Sequence, residues 1–188
     1  DTNQSPYALL PQGGLVGELT RLLPFNESNI TSTYISWLND PLVVRFSNQR
    51  FKYHSKESSL EYLASFQGTD NLFISISSLS GEQAIGTMTV YTVKQHSTAD
   101  IGILIGNKSI WGKGYGLDAW KTLSNWLISS CNIRKITAGT LSENIGMKGH
   151  SALISLMYRV GLIFILIYST PAFTQNLSQQ VDSFLKAK

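Results

Sequence analysis

The chain has 188 residues, 43% hydrophobic and 14% charged, with one cysteine, a net charge of +3 and a pI near 9.0. That length and composition fit one globular domain and exclude disordered, fibrous and disulfide-stapled chains. The basic surplus is mild and scattered, with no run of basic residues interleaved with aromatics, so no nucleic-acid partner is expected; it suits an anionic small ligand.

Residues 1–16 have neither a basic start nor a sustained apolar core, and are expected to be a flexible lead-in, not a signal peptide, to a single domain over 17–188. A first strand is expected in 17–25, "GELTRLLPF", which ends in proline and phenylalanine. In "NESNITSTYISWLNDP" the spacing of Ile30, Tyr34, Trp37 and Leu38 predicts a helix capped by Asn26 and stopped by Pro41. Residues 42–54 read as a loop with a brief extended start. "SKESSLEYLASF" then reads as a second helix, with Ser58 and Glu61 at capping-box spacing.

The middle is β-rich: 71–79 and 84–93 form an expected antiparallel hairpin, followed by a third strand over 99–106. Next comes "IWGKGYGLDAW", with Gly112, Gly114 and Gly116 at alternate positions before a helix expected over 117–130 from Ala119, Leu123, Trp126 and Leu127. "IRKITAGT", 133–140, is the next strand. A helix over about 147–160, an apolar strand "GLIFILIY" and a last strand "VDSFLKAK" complete the chain. The apolar stretch 151–168 is not expected to span a membrane, because Arg159 falls in its middle and Gly161 divides it. Cys131 is read as a buried small residue and its isolation points to a reducing compartment, the cytoplasm by default. His54, His96 and His150 lack metal-ligand spacing, so no metal site is expected.

Three glycines within five residues cost conformational entropy and imply a backbone with another task. At a helix start the first N–H groups are unpaired and the helix dipole is positive, so glycines there let main chain close around an anion, with Lys113 adding charge. The loop lacks the Gly-Lys-Ser/Thr ending of a Walker motif, and its G-x-G-x-G spacing after a meander departs from the dinucleotide fingerprint.

"ADIGILIGNKSIWGKGYGLDAWKTLSNWLI" followed by "IRKITAGTLSENIGM" resembles the acyl-CoA core of the GNAT N-acetyltransferases. The likeness is closest to the branch of ribosomal-protein N-terminal alanine/serine and aminosugar acetyltransferases, and covers roughly 18–147. Residues 111–116, "WGKGYG", match the family's Gln/Arg-x-x-Gly-x-Gly/Ala loop with Trp111 in first place. The resemblance implies an α/β (α+β) fold with a mixed, mostly antiparallel sheet, splayed central strands and flanking helices. It implies acetyl-CoA as cofactor, with pantetheine pairing to main chain at Ile103, Leu104 and Ile105, the pyrophosphate over Gly112, Lys113, Gly114, Tyr115 and Gly116, and Asn144 contacting the cofactor; helix capping is the other role open to Asn144.

Transfer from a thioester to an amine needs a proton acceptor, an oxyanion site and an acid for the thiolate. The resemblance places Asp100 as acceptor, N–H groups at a bulge in 102–104 as oxyanion donors, and Tyr158 as acid, although the segment after Asn144 departs from the family pattern. Arg45, Asn48, Gln49, Arg50 and His54 lie where this branch meets its acceptor. The expected activity is acetyl transfer to a primary amine, such as an aminosugar. Protein N-terminal acetylation and a CoA-binding regulatory module without turnover are the alternatives, and a homodimer is left open.

Overall fold

Alternating apolar residues in successive stretches build a seven-stranded sheet in the order β1 to β7: Leu15–Val16, Thr20–Pro24, Leu72–Ser78, Ala84–Val93, Thr98–Ile105, Lys135–Leu141 and Ile163–Tyr168. The structure, a computed structural model, describes residues 6–141, Asn144 and the strand 163–168. The first five strands run antiparallel to their neighbours, whereas β5, β6 and β7 are mutually parallel. The expected mixed, mostly antiparallel sheet with flanking helices is the observed fold. The anticipated helix over 147–160, with Tyr158, and the anticipated last strand lie outside the described residues.

Among the described residues five α-helices accompany the sheet: α1 Pro6–Leu9, α2 Ser32–Asn39, α3 Pro41–Val44, α4 Lys56–Ala64 and α5 Tyr115–Ser130. On one face α5 buries Ala119, Trp120, Leu123, Trp126 and Leu127 against Leu72, Ile74, Met88, Val90, Ala99, Ile101 and Ile136. Each large side chain buried there contributes about 1.5–3 kcal/mol. On the other face α2 and α4 enclose Phe25, Tyr34, Leu38, Phe66 and Phe73, with Leu104 packed against that group. A Cβ on Gly106 would fall within the Trp37 ring, so glycine lets α2 pack on the end of β5.

Several local expectations are corrected. Tyr7 and Leu10, read as lead-in, pack on the core, and the Tyr7 hydroxyl accepts from the Phe73 N–H at 2.7 Å. The helix foreseen from Asn26 is two pieces, because Asn26 caps a short 3-10 turn and Thr31 caps α2 by accepting from Tyr34 N–H at 3.1 Å. The foreseen loop 42–54 holds α3, started by Pro41 behind the Asp40 cap, and a 3-10 turn over Asn48–Phe51. The capping box of α4 joins Ser55 to Ser58, one turn earlier than the Ser58–Glu61 pair. At its far end α5 closes on Asn132, whose φ of 54° is left-handed, the conformation asparagine tolerates after a helix.

Candidate active site

Strands β5 and β6 stay paired only from Thr98↔Lys135 to Asp100↔Thr137, and among the described residues the rest of β5, up to Ile105, has no partner strand on that side. The Gly106 N–H donates to the Ile85 carbonyl on the β4 side at 2.9 Å. In an antiparallel pair residues alternate, so even-numbered residues of β5 bond to β4; past the fork Ile103 and Ile105 turn N–H and C=O toward the opening, and Ile101, at the last β6 pairing, turns its C=O there. The expected bulge is absent: β4 and β5 keep one register from Gly86↔Ile105 to Val93↔Thr98. Gly102 and Leu104 therefore spend their main chain on β4, and of that stretch Ile103 alone presents an N–H to the opening.

The glycine loop sits at the outer end of this free edge. Gly112 and Gly114 have φ of 73° and 88°, which L side chains rarely adopt. Gly114 is also the N-cap of α5 and offers no side-chain acceptor, leaving first-turn N–H groups without a cap. The Trp111 indole N–H donates to the Ile105 carbonyl at 2.9 Å. Asp118 is the acid of the first turn, yet its carboxylate faces away and accepts from the N–H groups of Glu18, Leu19 and Thr20 and from Thr20 Oγ1. Burial pushes the Asp118 carboxyl up, but these four donors outweigh it and hold it below the usual carboxylate range.

A single cleft of about 980 Å3 joins Ile101–Ile105, Trp111, Gly112, Gly114, Tyr115, Gly116 and Asn144 to the α2–α4 side, where Arg45, Asn48, Gln49 and His54 also line it. Lys113 is exposed and outside the lining. So is Asp100, which stands at the fork with Oδ1 accepting from Thr137 Oγ1 at 2.6 Å. His54 holds its own segment together: Nε2 meets the Gln49 carbonyl at 3.2 Å, and its backbone is clamped by the Asn39 amide at 2.9 and 2.7 Å. The Arg45 guanidinium lies 4.5 Å from the Phe46 ring centroid. Arg50 stacks in the same way on Phe51.

Sequence reasoning missed four tyrosines that line the cleft, Tyr34, Tyr53, Tyr62 and Tyr91. Tyr62 and Tyr91 bring their hydroxyls to 2.7 Å, and burial pushes Tyr34 up to about 12 and Tyr62 higher, so both remain neutral phenols at physiological pH. For Tyr91 the signal was the alternation of Thr87, Thr89 and Tyr91 along β4, which puts these three on one face, whereas Tyr34 and Tyr62 come from α2 and α4. Thr137 was missed too, since its meeting with Asp100 depends on the β5–β6 register. Cys131 is half-buried at the end of α5, and burial raises its thiol to about 11, which makes it a poor nucleophile. Among the described residues no helix is long and apolar enough to cross a membrane, and no cluster of ligands could hold a metal.

Residues 20–149 match the family model for the acetyltransferase (GNAT) domain. The chain belongs to the GNAT acetyltransferases. Membership makes it an acyl-CoA-dependent N-acetyltransferase, in a family that generally uses acetyl-CoA as co-substrate. Among solved structures, this acetyltransferase is similar to a probable GNAT-family acetyltransferase of Chromobacterium violaceum, at 14% identity and a TM-score of 0.62 over 76% of this chain and 73% of that one. A domain from Methanocaldococcus jannaschii superposes with a TM-score of 0.60 at 18% identity, over 72% of this chain and 86% of that one. A chimeric spermidine N-acetyltransferase derived from Vibrio cholerae gives 0.54 at 13%, over 62% and 68%. At these identities the structures speak for the fold alone. No curated protein matches the chain.

Proposed function

We propose that this acetyltransferase moves an acetyl group from acetyl-CoA to the primary amine of a small acceptor, of which an aminosugar is the leading case. The observation that carries this is the continuity of one cleft from the free β5 edge and glycine loop to the α2–α4 side. Coenzyme A fits the residues present. Outward main chain at Ile101 and Ile103 can pair with the amides of a pantetheine arm as an added strand would. Gly112 to Gly116 and the uncapped start of α5 suit a pyrophosphate, and Lys113 and Asn144 complete the set.

Bound acetyl-CoA supplies the activated acyl group. In this reading Asp100, exposed at the fork and held by Thr137, takes the amine proton through water. With the cofactor bound, the Ile103 N–H would donate to the acyl oxygen as it becomes an oxyanion, and Tyr158 would give its proton to the departing thiolate. Arg45, Asn48, Gln49 and His54 orient the acceptor. Arg45 and Lys52 against Glu61 are the charged groups among the described lining residues, a balance that disfavours a polyamine. The lone cysteine supports a cytoplasmic location.

A second acceptor, a peptide N-terminus, is favoured by one feature: Leu42 and Tyr53 line the cleft yet are 55% and 84% exposed, an apolar lip suited to a chain. Both acceptors accord with the branch the sequence resembles. Calorimetry with acetyl-CoA tests the premise, and thiol release with aminosugars, polyamines and short peptides tests the acceptor. No heat of binding refutes the cofactor reading, whereas turnover confined to polyamines refutes the acceptor reading.

A further inference from the structure

Cross-strand partners share a face of the sheet, and β4 carries a row of hydroxyls on the face that α2 and α4 cover. Tyr91 pairs with Asp100, Thr89 with Gly102 and Phe73, and Thr87 with Leu104 and Ser75. Phe73 and Leu104 pack on the α2–α4 side, which fixes the face. A Cβ on Gly102 would fall 2.7 Å from Thr89 Oγ1, so the glycine leaves that hydroxyl uncovered.

The protein does not use these hydroxyls itself. Tyr34, Ser75 and Thr87 are 4%, 4% and 6% exposed, yet their side-chain oxygens, like Thr89 Oγ1, have no hydrogen-bond partner among the described residues. Among those residues only Trp120 Nε1 and Ser124 Oγ are both unpartnered and sealed from water, so the four hydroxyls reach open space. Thr89 lines the cleft, Ser75 lines a second cavity of about 720 Å3 beside it, and Tyr34 and Thr87 line both.

Polar groups at that depth take a partner from water or a ligand. The charged residues of the second cavity among those described, Asp40 and Lys108, pair with each other, which leaves hydroxyl and amide chemistry. A hydroxyl both donates and accepts, and so matches a ligand that does the same; an ammonium only donates and a carboxylate only accepts. Two residues along β4 advance about 7 Å. An amine near Asp100, beside Tyr91, therefore carries its body over Gly102 and Thr89, with Thr87 one step beyond.

We infer that Thr89, Thr87 and Tyr34 bind hydroxyls of the acceptor's body, which makes them specificity-determining residues for an amine borne on a polyhydroxylated ring; this rests on the proposed transfer to a small amine. Thiol release from acetyl-CoA is measured with glucosamine, galactosamine and the 3-, 4- and 6-deoxy analogues of each. In the natural chain at least one deoxygenation raises KM about fivefold to tenfold with kcat nearly constant. Thr89→Val, Thr87→Val and Tyr34→Phe each raise KM for the parent aminosugar by a similar factor and leave the Kd for CoA within about twofold. A variant and the deoxygenation that removes its partner hydroxyl cost no more together than either alone.

Losses that multiply for every pair overturn the assignment, because they make the effect one of packing. Unchanged KM in all three variants overturns it too, and aminosugar turnover then leaves the transfer reading intact. Deoxy analogues that all match their parents overturn it in the natural chain alone, whatever the folding of the variants. Turnover confined to short peptides overturns both this subsite and the aminosugar acceptor. If the natural chain binds no CoA, or acetylates no amine, the transfer reading fails first and this inference with it.

Discussion

Trp111 and Ile105 close the outer end of the free β5 edge, with the indole N–H bonded to the Ile105 carbonyl at 2.9 Å. Six residues separate them, so the bond pins the start of the glycine loop to the strand it leaves. A loop with two glycines at positive φ is entropically costly to order, and this anchor lowers the cost of presenting it to a phosphate.

Trp111→Phe therefore raises the Kd for CoA about fivefold to tenfold, the effect of roughly 1 kcal/mol of lost ordering. Turnover at saturating acetyl-CoA stays near that of the natural chain. Calorimetry and steady-state kinetics separate the two effects, and a fall in kcat without a change in Kd would assign Trp111 to chemistry instead.

Gly114 and Gly116 differ despite sharing a motif. At φ of 88° Gly114→Ala is strained by about 1–2 kcal/mol and loses CoA affinity. Gly116 has no positive φ, and a Cβ there would sit 3.5 Å from Ile105 Cγ1, an ordinary contact. Gly116→Ala keeps both stability and binding, checked by thermal melts and calorimetry; equal damage from the two substitutions contradicts the geometry.

Asp100→Asn keeps the size and the Thr137 contact but removes the base. Turnover falls about a hundredfold or more while CoA affinity stays within twofold. A rate like that of the natural chain removes Asp100 from the mechanism.

Asp118 ties α5 to the chain around β2, and its pKa, lowered from 3.8 by four donors that outweigh burial, sets the sign of a pH effect. A carboxyl depressed in the folded state contributes stability that is fully present above its unfolded value and is lost as pH falls through the folded value. Asp118→Asn accordingly melts lower than the natural chain at pH 6, and the gap narrows as pH drops below 3.8. A gap that is constant with pH assigns the effect to packing.

Much of the fold was legible because periodicity and turn chemistry are local. The strand, glycine loop, helix and strand unit needed only alternate apolar residues, three glycines and a helical stripe. The α2–α4 region was less legible: Pro41 and Thr31 reset helix boundaries that apolar spacing alone ran together. Asn26 also has a cap's chemistry, but it caps a 3-10 turn.

What the sequence by itself determined was that a glycine-rich turn opens α5, since only glycine readily accepts the backbone angles there and Gly114 brings no capping side chain. Tertiary structure decided what that turn stands beside. The parting of β5 from β6 after Asp100, the outward turn of Ile101 and Ile103, the meeting of Tyr62 with Tyr91 and the buried, unpaired Trp120 indole all depend on strand register and packing. A residue's own neighbours in the chain do not encode which distant segment will face it, so these relations appear only once the sheet is assembled.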